Sequence, residues 1–406
     1  MSTSPAFTRA QWIVLCVCVA IFALGQFHRA SGSVFTPILM DRYAISAALA
    51  GGLVSAMFFA TIAAQVPFGV ALDRIGPRRV LGVCILIVAC GTGVFAFGQS
   101  FDVTLMSRIL IGVGLASMGA ATYVIIGRNF SKGDFGYVSG LVVTLGGIGG
   151  LLGTYPLALA LERAPWVTVF TVVTGVTLAL ALFVFLAIPR TPPPDTTKCE
   201  GDTGGYLSLL QQPEFLKILA LGIVSFAPIT TITGLWGGPF LQNVAGLSPE
   251  GAGAALLALF LATISAGYVF GRLDRRARSR KRVVLTAVVV SCGSLFLLAS
   301  WPSPSPLIAV ALLLIMVFCQ QFYVPLGAHM RATVPDHLLG RASTLLSLIS
   351  VAAIPALQIT FDAVLDMTAG LGWGVDQQYR AAFAVMGALI AGCGLVYATA
   401  RHAGGA

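Results

Sequence analysis

Residues 69–79 read Gly-Val-Ala-Leu-Asp-Arg-Ile-Gly-Pro-Arg-Arg, so that Gly69, Asp73, Arg74, Gly76, Arg78 and Arg79 gather at one short polar break. Apolar runs lie on both sides of it, at 47–71 and 80–98. A helix needs about 20 apolar residues to cross a bilayer. Further runs of that kind are expected at 11–38, 103–126, 137–160 and 166–188, and again at 215–241, 250–272, 282–300, 306–330, 342–364 and 378–400. The stretch 189–213 interrupts the pattern. It is polar and rich in Pro, Gly and Thr, so it reads as a linker.

The break at Asp73 has a second copy. Pro37-Ile38-Leu39, Ser46, Phe58-Phe59-Ala60-Thr61 and Asp73-Arg74 recur about half the chain later. The second set is Pro239-Phe240-Leu241, Ser248, Phe260-Leu261-Ala262-Thr263 and Asp274-Arg275. A parallel repeat with an even number of spans per half describes two six-helix bundles around a central pathway. The expected fold is an all-α integral membrane protein of about twelve transmembrane helices in two pseudo-symmetric bundles. The expected domains are 1–188, a cytoplasmic linker at 189–213, and 214–406.

Composition agrees. Of 406 residues 57% are hydrophobic and 10% charged, where soluble proteins average about 25% charged. The mean hydropathy is +0.92. So few charges cannot dress a soluble surface of this size, which excludes a soluble enzyme and a nucleic-acid binder. The net charge of +9 comes from short basic runs between apolar stretches. With the N-terminus inside, Arg9, Arg74, Arg78, Arg79, Arg128, Lys132, Arg190, Lys198 and the dense run from Arg272 to Arg282 all face inward. The outer segments hold only Arg42, Arg163 and Arg380. Both termini are therefore expected in the cytoplasm, with the protein in a bacterial inner membrane. The first apolar run reads as a span and not as a cleaved signal. Seven of the eight Cys lie in apolar stretches and suggest small buried residues; no metal or cofactor pattern emerges.

The Gly69–Arg79 segment resembles motif A of the major facilitator superfamily, G-x-L-A-D-R-x-G-R-R/K, departing at Ala71, Leu72 and Pro77. Arg108, Gly112 and Gly114 are similar to that family's motif B, R-x-x-x-G-x-G. The resemblance covers essentially the whole chain. It implies that Gly69, Asp73, Arg74, Gly76, Arg78 and Arg79, with the looser copy at Asp274 and Arg275, make a cytoplasmic gate between the bundles. The plainer alternative is a set of topology signals.

The candidate cargo site starts at Arg29, about 17 residues past Trp12 and hence well within the membrane. An arginine there costs at least ~2.5–3.5 kcal/mol on insertion scales, and such residues usually face a bundle interior or wet cavity. The alternative is that Arg29 snorkels to the outer interface. Gln26 lies three residues before and shares its face. All 15 acids fall in loops or near span ends, so a mid-membrane cation without a mid-membrane acid favours an anionic guest. The segment Gly25–Ser31 resembles the span-one pattern N-Y-x-D-R-A of the family's organic-anion symporters. That resemblance implies that Arg29 meets the substrate anion. It puts His28 where those symporters carry a coupling Asp, and an imidazole can also carry a proton. The family likeness sets Arg108 in the interior, linked to coupling. Gln65, Tyr123, Trp236, Gln320 and Gln358 are the polar candidates for shaping the pocket. Glycines crowd the fifth span from Gly140 to Gly153, for packing or bending.

The resulting expectation is a monomeric secondary transporter in the lipid bilayer, moving a small organic anion, a monocarboxylate, by proton symport and alternating access. It takes no cofactor, metal or nucleic acid. A multidrug or metabolite exporter of the same fold, and a transporter-like receptor, are the alternatives.

Overall fold

The computed structural model describes residues 7–45, 47–188, 206–277 and 279–400. Ser46, Arg278, Cys199 and most of the expected linker, up to residue 205, lie outside the described residues. Within them every regular element is a helix. Twelve helices or helix series are long and apolar enough to cross a membrane. Spans one to six are Arg9–Ala30, Gly52–Ile75, Pro77–Phe97, Phe101–Asn129, Phe135–Arg163 and Trp166–Ala187. Spans seven to twelve are Pro213–Asn243, Gly251–Arg276, Arg280–Ser300, Pro306–Thr333, Asp336–Gly370 and Val375–Ala398.

The chain divides into two compact units. Unit 1 comprises Met1–Ser131, Leu141–Thr203 and Pro335–Leu345. Unit 2 comprises Lys132–Gly140, Gly204–Val334 and Leu346–Ala406. Each holds six spans, but the first turns of span five belong to unit 2 and those of span eleven to unit 1.

Local chemistry sets the helix ends. Thr8 opens span one with a capping box to Gln11. Gly76, at φ +82°, supplies the left-handed turn before Pro77, which begins span three at the position where its missing N–H costs nothing.

Several spans are broken midway. The first apolar run, expected as one helix over 11–38, is two: Arg9–Ala30 and Gly32–Tyr43. The Ser31-Gly32 pair is the cause. Ser31 Oγ turns back to donate to the His28 carbonyl at 3.2 Å, and a Gly/Ser pair is a common origin of a kink. Span four breaks at Ala116-Ser117. Span seven contains a π-helical turn at Ile232–Trp236, and span ten a 3₁₀ turn at Gln320–Phe322. Such irregular turns inside helices frequently mark functional positions.

Candidate functional site

In unit 1, Arg29 sits two residues before the break in the first helix. Its side chain is half-buried and runs backward along the helix. Nη1 donates to Gln26 Oε1 at 2.8 Å and lies 3.7 Å from where a Cβ on Gly25 would be. The missing side chain at Gly25 leaves that path open. The chain continues as a second helix from Gly32, so the break beside Arg29 is not where the apolar run ends, and the guanidinium lies one turn back along the first helix. Among the described residues no carboxylate pairs with it.

Arg108, on span four, is 1% exposed. Its guanidinium lies 4.8 Å from the Phe35 ring centroid and 5.8 Å from that of Phe95. Nη2 approaches Met57 Sδ at 3.0 Å, and Nε has no hydrogen-bond partner. The surroundings are the apolar cluster of Phe35, Leu39, Leu53, Phe95, Leu157 and Phe170. Aromatic faces offset part of the cost of a buried cation, about 2 kcal/mol or more when desolvated, but again no acid among the described residues is paired with it. His28 is buried too, with Nε2 unpartnered, and lies within reach of the Arg108 charge. Gln65 and Tyr123 are likewise buried in this unit. Sequence reasoning missed the aromatic box. Phe35 and Phe95 looked like ordinary apolar residues of two separate spans.

Glycines hold these helices close. A Cβ on Gly112 would overlap the Met57 carbonyl oxygen, and one on Gly114 would meet Val88 and the Cys84 carbonyl. The fifth-span glycines seat span one: Gly146 faces Phe22, Gly149 the Ala23 backbone, and Gly153 the Phe27 carbonyl. The stripe carrying Ala23 and Phe27 is thereby committed to span five.

In unit 2, the π-helical turn presents Trp236, whose ring stacks on Phe361 at 5.7 Å and 22°. Tyr379 lies edge-on at 6.4 Å, and the indole Nε1 is buried without a partner. Gln358 is half-buried on span eleven, one turn before Phe361. Gln320 and Gln321 are both buried in the 3₁₀ turn; neither amide group of Gln320 has a partner.

The motif at 69–79 divides its work. Asp73 Oδ1 accepts the Gly340 N–H at 3.0 Å, and Oδ2 accepts the Arg341 N–H at 3.2 Å. Arg341 Nε adds an ion pair at 3.3 Å. The carboxylate thus caps the N-terminus of span eleven, where the helix dipole favours negative charge. Gly69 and Gly76 are buried, Arg78 donates to the Phe185 carbonyl, and Arg74 and Arg79 are exposed. In the second copy, within unit 2, Asp274 pairs with Arg280 Nε at 2.9 Å and abuts Gly136. Arg275 pairs with Asp134 at 3.0 Å and covers the Tyr137 ring at 5.0 Å. Each Asp therefore meets a glycine in the first turn of a span. The signal was present: Phe135-Gly136-Tyr137-Val138-Ser139 and Leu339-Gly340-Arg341-Ala342-Ser343 are repeat-related.

The sequence matches the profile of the Major Facilitator Superfamily over residues 15–357. Among solved structures, a bacterial homologue of the iron transporter ferroportin in an outward-facing state superposes with a TM-score of 0.79 at 12% identity, covering 96% of this chain and 98% of that one. The human organic anion transporter MFSD10 (TETRAN) gives 0.74 at 16%, covering 96% and 100%. A variant of the E. coli fucose:proton symporter FucP gives 0.72 at 15%, covering 96% and 99%. At these identities the likeness is one of fold.

Proposed function

The chain belongs to the major facilitator superfamily, and on that premise we propose that it is a secondary transporter of a small organic anion, a monocarboxylate, driven by proton symport. It works by alternating access in a bacterial inner membrane with both termini cytoplasmic, as a monomer.

The observation that carries the cargo class is the Gln26–Arg29 pair. A guanidinium folded back along its helix, braced by an amide and unpaired with any acid among the described residues, has N–H groups left to offer. Arginine binds carboxylates in a two-pronged geometry that lysine cannot copy. Arg108 supports the same sign of cargo: a second buried cation, without a counter-ion among the described residues, makes the interior of unit 1 electropositive, and the field in a low-dielectric site is strong. A phosphate dianion would call for further cationic groups, so the reading is a single negative charge. Proton coupling is assigned to His28, since an imidazole can carry a proton and this one is buried with Nε2 unpartnered. The fold accommodates both features, since chains that share it include an organic anion transporter and a proton symporter. Asp73 and Asp274, with their glycine partners, are assigned as the cytoplasmic gate.

The test is uptake of a panel of radiolabelled small acids into proteoliposomes under an imposed proton gradient, comparing Arg29→Ala and Arg29→Lys with the parent. Loss of uptake in both, with the protein still folded, is the expected result. Normal uptake by Arg29→Ala overturns the anion-site assignment. Efflux of cationic dyes in place of acid uptake favours an exporter.

A further inference from the structure

We propose that His329 and Tyr397 form a buried proton-binding site in unit 2, separate from the residues assigned above to cargo binding and coupling. His329 Nδ1 and Tyr397 Oη are 2.6 Å apart. Both side chains are buried, at 3% and 0% exposure. The rings meet edge-on, with centroids 5.6 Å apart. His329 lies near the end of span ten, and Tyr397 in the last turn of span twelve.

Two helix C-termini therefore converge on this pair, and a helix C-terminus attracts positive charge. The attraction is visible nearby. Lys217, from span seven, donates to the Thr399 carbonyl at 3.0 Å, and Lys281, from span nine, to the Ala400 carbonyl at 2.6 Å. From span eight, Asp274 brings a carboxylate whose charge bears on Tyr397. Its Oδ1 is held by Arg280, and its Oδ2 is buried with no hydrogen-bond partner. Arg331 is the charged residue on the same helix as His329, two positions on. Lys217 is itself paired with Glu214 at 2.9 Å, so the local balance is two lysines and two arginines against two acids, Glu214 and the buried Asp274, with carbonyl dipoles added on the negative side.

The chemistry of uptake is simple. With the imidazole hydrogen on Nε2, the Tyr397 hydroxyl donates to Nδ1. An incoming proton binds the phenol oxygen as the original hydroxyl proton passes to Nδ1: one O–H bond breaks, one O–H and one N–H form. The product is an imidazolium that now donates to a neutral phenol. The hydrogen bond survives, but its direction reverses. Asp274, through Arg280, is tied to the Lys132 carbonyl in the first residues of the same unit's span-five segment, where Arg280 Nη2 donates at 2.9 Å. The pair is thus linked through Tyr397 and Asp274 to Arg280, which holds the loop before span five.

The use of this site in coupling rests on the proton-symport reading. Its existence does not, because titration needs no cargo. Full-length protein with 15N-labelled histidine is titrated in bilayers from pH 5 to pH 9, and the imidazole resonances are followed. The chain has four histidines, and His329→Gln assigns the signal. Should that variant not fold, His28→Gln, His337→Gln and His402→Gln assign it by leaving it in place. The expected result is a His329 signal that converts to imidazolium within the window. Tyr397→Phe, which keeps the volume, is expected to move its midpoint. Asp274→Asn, which removes the favourable negative charge, is expected to move it to lower pH. A His329 signal that stays neutral throughout, or a midpoint unchanged in Tyr397→Phe, overturns the proposal while leaving the Arg29 reading intact.

Discussion

The Asp73 carboxylate fills the space that a side chain at Gly340 would need. Oδ1 takes the Gly340 amide hydrogen at 3.0 Å, and a Cβ at position 340 would overlap that same oxygen and come within 3.2 Å of Leu72 Cβ. Gly340→Ala is therefore expected to push the carboxylate off two amides and the Arg341 guanidinium together. Each hydrogen bond to a charged group is worth about 1.5–3 kcal/mol, so a fall in melting temperature of several degrees should be visible by scanning fluorimetry. Gly340→Ala melting with the parent would mean that the cap contributes nothing.

The glycines of span five lend themselves to a paired comparison. A Cβ on Gly149 meets the carbonyl carbon and Cα of Ala23, which cannot swing away as a side chain could, whereas Gly175 in span six has nothing within 4 Å. Gly149→Ala is expected to cost about 1–3 kcal/mol through overpacking. Gly175→Ala is expected to be neutral or to stabilise by up to about 1 kcal/mol, from helix propensity. Thermal stability in one detergent decides it. Equal effects at the two positions would contradict the seating of span one on span five.

The two copies of the Asp-Arg motif are not equally supported. Asp73 keeps two backbone N–H donors if Arg341 is lost. Asp274 relies on Arg280 for Oδ1 and has no partner for Oδ2. Removing one partner of a buried ion pair costs about 3–5 kcal/mol. Arg280→Gln should therefore destabilise far more than Arg341→Gln, and Asp274→Asn added to Arg280→Gln should recover much of the loss. A double variant no more stable than Arg280→Gln alone would argue against the pair.

Much of the fold was legible because lipid imposes one rule: apolar runs of membrane length, with basic residues between them. The half-chain repeat of Asp73-Arg74 at Asp274-Arg275 exposed the twofold plan. The break at Ser31-Gly32 was not read, because apolarity continues across it and only the backbone records the kink. Arg29 could be flagged as costly from its depth, and Gln26 from its spacing. Which way the guanidinium runs depends on the empty flank at Gly25, a steric fact. Arg108 was flagged by its motif, but its partners Phe35, Phe95 and Met57 come from three other helices, and no local pattern joins them. His329 and Tyr397 are separated by most of two spans, so their hydrogen bond is purely tertiary.

Arg108 leads to a prediction in which stability and transport move in opposite directions. Its guanidinium is enclosed by Phe35, Phe95 and Met57 without a carboxylate, and Nε makes no hydrogen bond. Replacing buried charged groups by apolar residues of similar volume is often neutral or stabilising, by about 1–4 kcal/mol. Methionine is flexible enough to fill the space left between two rings and a thioether. Arg108→Met is thus expected to melt at or above the parent temperature. If the buried cation sets the charge that draws the cargo, as proposed above, the variant's uptake of small acids collapses. Arg108→Lys should melt lower, since a compact ammonium loses the planar stacking on Phe35 while keeping the desolvation penalty. Melting curves and proteoliposome uptake on the same preparations give both readouts. An Arg108→Met protein that melts well below the parent would show the cation to be a net stabiliser, and one that transports normally would remove Arg108 from the mechanism.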